Sequence, residues 1–176
     1  MTAVINAGPL MVLGKLNLIH LLPQLYVETL APSAVFDEVV LQGIAHGFPD
    51  AYVAKYAFDK GLLKLIAFTE SDLTDDVSVL SLGQGELQVI QLALDRGARL
   101  ALLDDQLARE AARTFGLHVK GTMGVLVDAY RRQILSIDEM VFAFDVIKQR
   151  SDIWISAAFV ETVWRQLFQE NAESSS

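Results

Sequence analysis

Residues with oxygen-bearing side chains recur along the chain at points where short apolar segments end or helices begin. These residues are Asn6, Glu38, Glu86, Asp104 and Asp105. In an α/β protein the carboxyl ends of parallel strands meet at one edge of the sheet, so side chains that are distant in sequence can converge there. Carboxylate and amide oxygens are the ligands that Mg²⁺ and Mn²⁺ prefer. Together these residues predict a metal site with oxygen ligands only.

A site of this kind suits chemistry on phosphate groups. A Mg²⁺ or Mn²⁺ ion held by a few carboxylates keeps room for water and phosphate. It can activate a bound water and stabilise charge on phosphoryl oxygens. Histidine is not needed for this chemistry. That agrees with His20, His46 and His118, which are isolated in the sequence and which we interpret as surface or core residues.

Each of these acids also has a purely structural interpretation. Glu86 opens a helix, where the helix dipole favours an acid. The pair Asp104 and Asp105 follows an apolar segment and could cap the next helix. Glu38 could be a solvated charge on the polar side of its helix, opposite Val35 and Val39. The alternatives stay open for each residue, and it is their joint placement that favours a metal site.

Composition restricts the partners. The chain has 176 residues, which fits one domain, and no cysteine, which excludes disulfides and favours a cytoplasmic protein. Polar residues interrupt every apolar stretch before the roughly 20 residues of a membrane span, and the start resembles no secretory signal, so we expect no membrane partner. The net charge is −8, with 14 basic and 22 acidic residues. One interpretation is an acidic domain that binds no nucleic acid. If it does bind nucleic acid, the contacts must come from a small local group of residues rather than from a basic face. A basic protein partner is a further alternative.

Strand and helix signals alternate along most of the chain. The predicted strands are 3–6, 28–31, 62–68, 98–103 and 117–120. The predicted helices are 9–15, 16–22 ending near Pro23, 33–41, a segment ending at 61, 86–97, 106–115, 122–132, one that follows Ser136 and one from 156 to about 169. Residues 43–50 and 69–76 are predicted loops. The alternation predicts an α/β fold in which helices flank a parallel sheet, followed by helices alone.

Five pieces, in this order, resemble a known family. They are Val-Ile-Asn-Ala-Gly-Pro-Leu at 4–10, Pro-Ser-Ala-Val-Phe-Asp-Glu-Val at 32–39, Leu-Gly-Gln-Gly-Glu at 82–86, Leu-Leu-Asp-Asp at 102–105 with Ala-Arg at 108–109, and Gly-Thr-Met-Gly-Val-Leu at 121–126. The order resembles the PIN (PilT N-terminus) domain, a metal-dependent ribonuclease fold, and especially the VapC-like toxins with a Leu-Leu-Asp-Asp strand end. The resemblance implies a three-layer α/β/α fold with a central parallel sheet over residues 1–135. Residues 136–170 would be a helical extension of that domain, and 171–176 a disordered tail.

The resemblance also implies roles for individual residues. Glu38, Glu86 and Asp105 would be the catalytic acids that hold one or two Mg²⁺ or Mn²⁺ ions. Asn6 would occupy the first position of the same metal site, and Asp104 would be a neighbour or substitute ligand. Arg109 would contact an RNA phosphate, unless it is an ordinary surface arginine. Thr122 would offer a hydroxyl to the site or to a phosphate, unless it caps its own helix.

The chain departs from the family at its first site position. Asn6 stands where aspartate is general, and Gly8 stands where serine or threonine is usual. Asparagine keeps an amide oxygen but removes one negative charge, which lowers the expected affinity for a cation. We therefore expect either an active site of reduced metal affinity or a catalytically silent module.

These observations lead to one main expectation and two rivals. The main one is a cytoplasmic endoribonuclease resembling the toxin of a toxin–antitoxin pair, which hydrolyses RNA phosphodiesters, forms a homodimer and binds a small basic antitoxin. The first rival is a PIN-like binding module that has lost cleavage. The second is a phosphoacceptor domain built on Asp104 and Asp105, which would need a catalytic lysine; Lys120 is its only candidate.

Overall fold

The central feature of the structure, a computed structural model, is a parallel sheet. The structure describes the backbone of residues 1–173 and the side chains of residues 1–168. The sheet has five strands in the order β3-β2-β1-β4-β5, and every neighbouring pair is parallel. The strands are β1 (Thr2–Ile5), β2 (Glu28–Pro32), β3 (Lys64–Ile66), β4 (Leu100–Leu102) and β5 (His118–Lys120). All five strands were predicted, with β5 at an edge.

The strand register sets which residues meet at the carboxyl edge. Ile5 of β1 is level with Leu102 of β4, which is in turn level with Lys120 of β5. Strands β1 and β4 are apolar and buried because helices cover both faces of an all-parallel sheet. The residues that follow these strands, Asn6 and Leu103 onwards, therefore emerge side by side.

Helices lie between the strands. They are α1 (Ala7–Lys15), α2 (Leu22–Leu25), α3 (Ser33–Phe36), α4 (Gly43–Ala45), α5 (Pro49–Asp59), α6 (Asp75–Ser78), α7 (Gln84–Asp95) and α8 (Gln106–Thr114). Short 3₁₀ turns occupy Ile19–Leu21 and Glu70–Asp72. Helix α7 packs on β1, β2 and β4, α1 packs against α5, and α8 packs against β5. This is the expected three-layer α/β/α architecture.

Three local predictions were wrong. The loop expected over 69–76 contains the 3₁₀ turn Glu70–Asp72 and the start of α6. In place of the helix expected over 16–22 there is a 3₁₀ turn, Ile19–Leu21, followed by α2; Pro23 lies in the first turn of α2, where a missing backbone N–H costs nothing, and does not end a helix. The helix expected over 33–41 continues to Ala45, because a π-helical segment, Asp37–Gln42, joins α3 to α4. The predicted loop after it is correspondingly short, since α5 begins at Pro49.

The chain divides into two compact units, Met1–Thr122 and Met123–Ser176. The second unit holds α10 (Ile137–Gln149) and α11 (Ala157–Glu173), while α9 (Thr122–Arg131) begins at the last residue of the first. The predicted capping box at Ser136 is present, because Glu139 Oε2 accepts the Ser136 N–H at 2.8 Å and Ser136 Oγ accepts the Glu139 N–H. Within the predicted tail, residues 174–176 lie outside the described residues.

Hydropathy gives one further result. Among the helices in the described part of the chain, none combines the length and the apolar character that crossing a bilayer requires.

Candidate active site

A cavity of about 700 Å³ opens at the carboxyl edge of the sheet. Its lining includes all the oxygen-bearing residues that the sequence singled out: Asn6, Glu38, Glu86, Asp104 and Asp105. Four separate parts of the first unit supply them: the ends of β1 and β4, the π-helical segment and the first turn of α7. The cavity thus brings together side chains that lie up to about a hundred residues apart in sequence.

Asn6 is the buried member of this group. Its backbone N–H donates to Leu102 O at 3.0 Å, which fixes it beside the end of β4. The residue is only 8% exposed, and its side-chain Oδ1 is buried without a hydrogen-bond partner. Leaving a buried acceptor unpaired costs about 1–3 kcal/mol. Such a cost is typical of a site where a ligand completes the polar contacts.

Gly85 leaves open the space beside Asn6. A Cβ on Gly85 would lie 3.1 Å from Asn6 Oδ1 and 3.7 Å from Glu38 Oε2. The amide oxygen and the carboxylate oxygen therefore border the same small gap. No sequence signal distinguished Gly85 from an ordinary helix-start glycine.

The position of Glu38 depends on a buried side chain of α7. Gln88 Oε1 accepts the backbone N–H of Ala34 at 3.0 Å, which ties the start of α3 to α7. Val35 and Val39 are buried, while Glu38 stays partly exposed at the cavity. Burial raises the pKa of Glu38, and the charge of Glu86 raises it further.

Glu86 and Asp105 extend the same cluster of negative charge. Burial raises the pKa of Glu86; the N–H of Gly83, which donates to Glu86 Oε2 at 3.0 Å, lowers it; and the charge of Asp105 raises it. Asp105 Oδ1 accepts the Ala108 N–H at 2.9 Å and so caps α8. The structural interpretations of these two acids therefore hold, but the acids also repel one another across the cavity. A bound cation would relieve that repulsion.

Residues 2–169 match a family model described as the PIN domain. The chain belongs to the PIN domain family. This is a nuclease-type fold whose members bind nucleic acid and generally depend on divalent metal ions. Comparison with curated proteins gives no match, and comparison with solved structures gives none either.

The chemical types of the side chains around the cavity of this PIN domain suit a hard divalent cation. Five carboxylates and an unpartnered buried amide oxygen border the cavity, and all are oxygen ligands. Among residues 1–168, however, no group of at least three His, Cys, Asp or Glu side chains is arranged closely enough to hold a metal ion. The cavity therefore offers suitable ligands that stand around a shared space rather than converging on one point.

Two further predicted residues lie beside the cavity of the PIN domain rather than in its lining. Thr122 is completely buried and donates to Asp104. Arg109 has a buried Nε without a hydrogen-bond partner, and its Nη1 lies 3.6 Å from the position of a Cβ on Gly121. Contact of either residue with RNA stays a prediction.

The lining of the PIN domain cavity also contains residues that sequence reasoning had not selected. Asp37, the residue before Glu38, lines the cavity as well. Gln42 does so too, and its position four residues after Glu38 on one helical stretch is the signal that could have found it.

Proposed function

We propose that this PIN domain is a metal-dependent endoribonuclease that hydrolyses RNA phosphodiesters. Glu38, Glu86 and Asp105 would hold a Mg²⁺ or Mn²⁺ ion with their carboxylates, and Asn6 would add its amide oxygen. The observation that carries the proposal is the cavity that these oxygens line, in which burial raises the pKa of Glu38 and of Glu86 and a neighbouring acid raises each further. A pocket in which several acids lie close together attracts a cation.

The residues of the chain would share the work of hydrolysis. A bound Mg²⁺ or Mn²⁺ supplies a more acidic water and stabilises charge on the phosphoryl oxygens. The pKa of Glu38 and that of Glu86 are both raised, but the Gly83 N–H already donates to Glu86, so we assign the proton of the attacking water to Glu38. Asp105 and Glu86 are fixed by backbone N–H groups, which keeps their carboxylates at the cavity.

We further propose that the enzyme resembles a VapC-like toxin and acts in the cytoplasm. The Leu-Leu-Asp-Asp sequence at the end of β4 supports that branch. A small basic antitoxin would complement the net charge of −8. A homodimer would bury apolar side chains that are exposed in the second unit, of which Trp154 and Phe142 are 96% and 69% exposed. The PIN domain proper would span 1–135, with 136–170 as its helical extension.

Asn6 and Gly8 support a second candidate, a PIN module that binds RNA or protein without cleaving. Asn6 removes a charge from the site. The position of a Cβ on Gly8 lies 3.7 Å from Asp104 Oδ2, an ordinary contact distance, so the hydroxyl usual in the family would fit but is absent. Both differences lower the expected affinity for a cation.

Cleavage of a mixed RNA pool with Mn²⁺ separates the two candidates. Wild type, Asn6→Asp and Glu86→Gln are compared, with Glu110→Gln as a control that removes an exposed acid of α8 outside the cavity. Cleavage by wild type and by the control, lost in Glu86→Gln, supports the enzyme. No cleavage by wild type, with cleavage restored by Asn6→Asp, supports the silent module. Cleavage that Glu86→Gln leaves intact would refute the assigned site.

A further inference from the structure

The two adjacent aspartates at the end of β4 have different surroundings. Asp104 Oδ1 accepts the backbone N–H of Thr122 at 2.7 Å, and Asp104 Oδ2 accepts the Thr122 hydroxyl at 2.6 Å. Both carboxylate oxygens are thus engaged by one residue. Asp105 uses only Oδ1, to cap α8; within residues 1–168 its Oδ2 accepts no hydrogen bond.

Gly121 allows the two strand ends to approach closely. A Cβ on Gly121 would lie 2.5 Å from Asp104 Oδ1 and 3.3 Å from the backbone oxygen of Leu103. Side-chain carbons do not approach neighbours at the shorter distance, so this contact requires glycine. The segment after β5 therefore rests directly on the segment after β4, and Asp104 binds them together.

Arg109 balances the charge of Asp104. Burial raises the pKa of Asp104, while the two Thr122 hydrogen bonds and the nearby Arg109 guanidinium lower it. Arg109 lies on α8, one turn after Asp105, with Nη1 3.6 Å from the position of a Cβ on Gly121. The chain thus supplies Asp104 with both donors and a countercharge, whereas Glu38 and Glu86 are left facing like charges.

We propose that Asp104 is a positioning residue rather than a metal ligand. Asp104 and Thr122 form a latch that fastens the end of β4 to the end of β5, and this latch holds Asp105, the next residue, at the cavity. Arg109 serves the latch by offsetting the charge of Asp104. The proposal rests on the proposed function for the role of Asp105, but the latch itself can be tested without it.

Conservative variants distinguish a latch from a ligand. In Asp104→Asn, Oδ1 can still accept the Thr122 N–H, and the amide can donate to Thr122 Oγ1, because a hydroxyl also accepts. The latch is kept while the charge is lost. In Asp105→Asn, a charge next to the ion is lost. Thr122→Val removes the hydroxyl at nearly constant shape, and Thr122→Ser keeps it.

The first experiment measures Mn²⁺ affinity of the full chain by calorimetry, together with kcat and KM for RNA cleavage. Asp104→Asn should bind Mn²⁺ within about twofold of wild type, whereas Asp105→Asn should bind at least about tenfold more weakly. Thr122→Val should lower kcat with little change in KM, and Thr122→Ser should restore kcat. Equal weakening of Mn²⁺ binding by the two Asn variants would make Asp104 a ligand and overturn the proposal.

The second experiment tests the latch if wild type neither binds Mn²⁺ nor cleaves RNA, which would refute the proposed function alone. Urea unfolding is measured for Asp104→Ala, Thr122→Val and the double variant. A latch predicts that Thr122→Val lowers the midpoint in wild type but adds little to Asp104→Ala, because the partner is already gone. Additive shifts in the midpoint would show that the two residues act separately and would overturn the latch.

Discussion

The acids of the cavity affect stability as well as chemistry. Burial raises the pKa of Glu38 and of Glu86; the charge of Glu86 raises the first further, and the charge of Asp105 raises the second. A carboxyl group with a higher pKa in the folded state binds its proton more tightly there than in the unfolded chain. Each group therefore favours folding below its unfolded pKa and loses that contribution as pH rises through the folded pKa. At neutral pH the folded protein holds these charges at an energetic cost.

Replacing Glu38 by glutamine should stabilise the protein while removing its cleavage activity. We expect Glu38→Gln to raise Tm by a few degrees at pH 8, since the variant carries no charge at that position. The gain should shrink toward zero as pH falls well below 4.5, the ordinary pKa of the acid, because the acid is then neutral in both states. Thermal unfolding across this range checks it, with Glu110→Gln as a control. A lower Tm at pH 8 would contradict the electrostatic cost.

Gly85 offers a way to separate stability from ion binding. In Gly85→Ala, the added methyl would lie 3.1 Å from Asn6 Oδ1 and would fill the gap it shares with Glu38. Alanine favours helix by up to about 1 kcal/mol over glycine, which offsets the tight contact. We expect Tm to change by no more than a few degrees while Mn²⁺ affinity falls about tenfold. Calorimetric titration and thermal unfolding together check this, and unchanged affinity would show that the gap is not used.

Sequence reasoning selected the cavity acids but not the residues that arrange them. Glu86 and Asp105 were recognisable because each follows a clear local signal, a Gly-rich helix start or an apolar strand. Gly85 was not selected and Asp104 was selected only as a possible ligand, because their roles depend on neighbours in space: Asn6 lies directly beside Gly85, and Thr122 comes 18 residues after Asp104. Local patterns in a single sequence do not encode such neighbours.

At the scale of elements, the π-helical segment Asp37–Gln42 is the clearest feature that local patterns did not predict. Val35, Val39 and Val40 are all buried, a spacing that an ordinary helix also accommodates. The segment packs against both α1 and α5, contacts that lie outside its own local sequence pattern. Single-turn π segments often occur at functional sites, and this one carries Glu38 and Gln42 into the cavity.

Gly43 fixes how closely this helical stretch approaches α5. A Cβ on Gly43 would lie 2.7 Å from the Cβ of Ala51. We expect Gly43→Ala to destabilise the protein by about 1–3 kcal/mol through overpacking. Adding Ala51→Gly should recover part of that loss, because it removes the opposing methyl. Denaturant unfolding of both single variants and the double variant measures the coupling between the two positions. Additive losses of unfolding free energy would mean that α5 shifts freely.

At the scale of the whole molecule, alternating strand and helix signals were enough to predict a parallel sheet with helices around it. The rule that such sheets gather function at the carboxyl ends of their strands then led to the cavity. The structure divides into two compact units that begin at Met1 and Met123, and the sequence has no clear linker at that point. The net charge of −8 was the other global property, and it bears directly on how RNA would bind.

An acidic nuclease should hold RNA through its bound ion rather than through a basic surface. For single strands, the logarithm of affinity falls with the logarithm of salt by about 0.7 per phosphate contacted by the protein. If only about two phosphates are contacted by lysine or arginine, affinity for a 2′-O-methyl RNA that is confirmed to stay intact during the measurement should fall less than about tenfold between 50 and 200 mM KCl. Removing Mn²⁺ with a chelator should lower the affinity for this RNA by a larger factor. Fluorescence anisotropy measures both, and a salt effect on the order of 100-fold, equivalent to about five contacts, would instead indicate a basic RNA-binding surface.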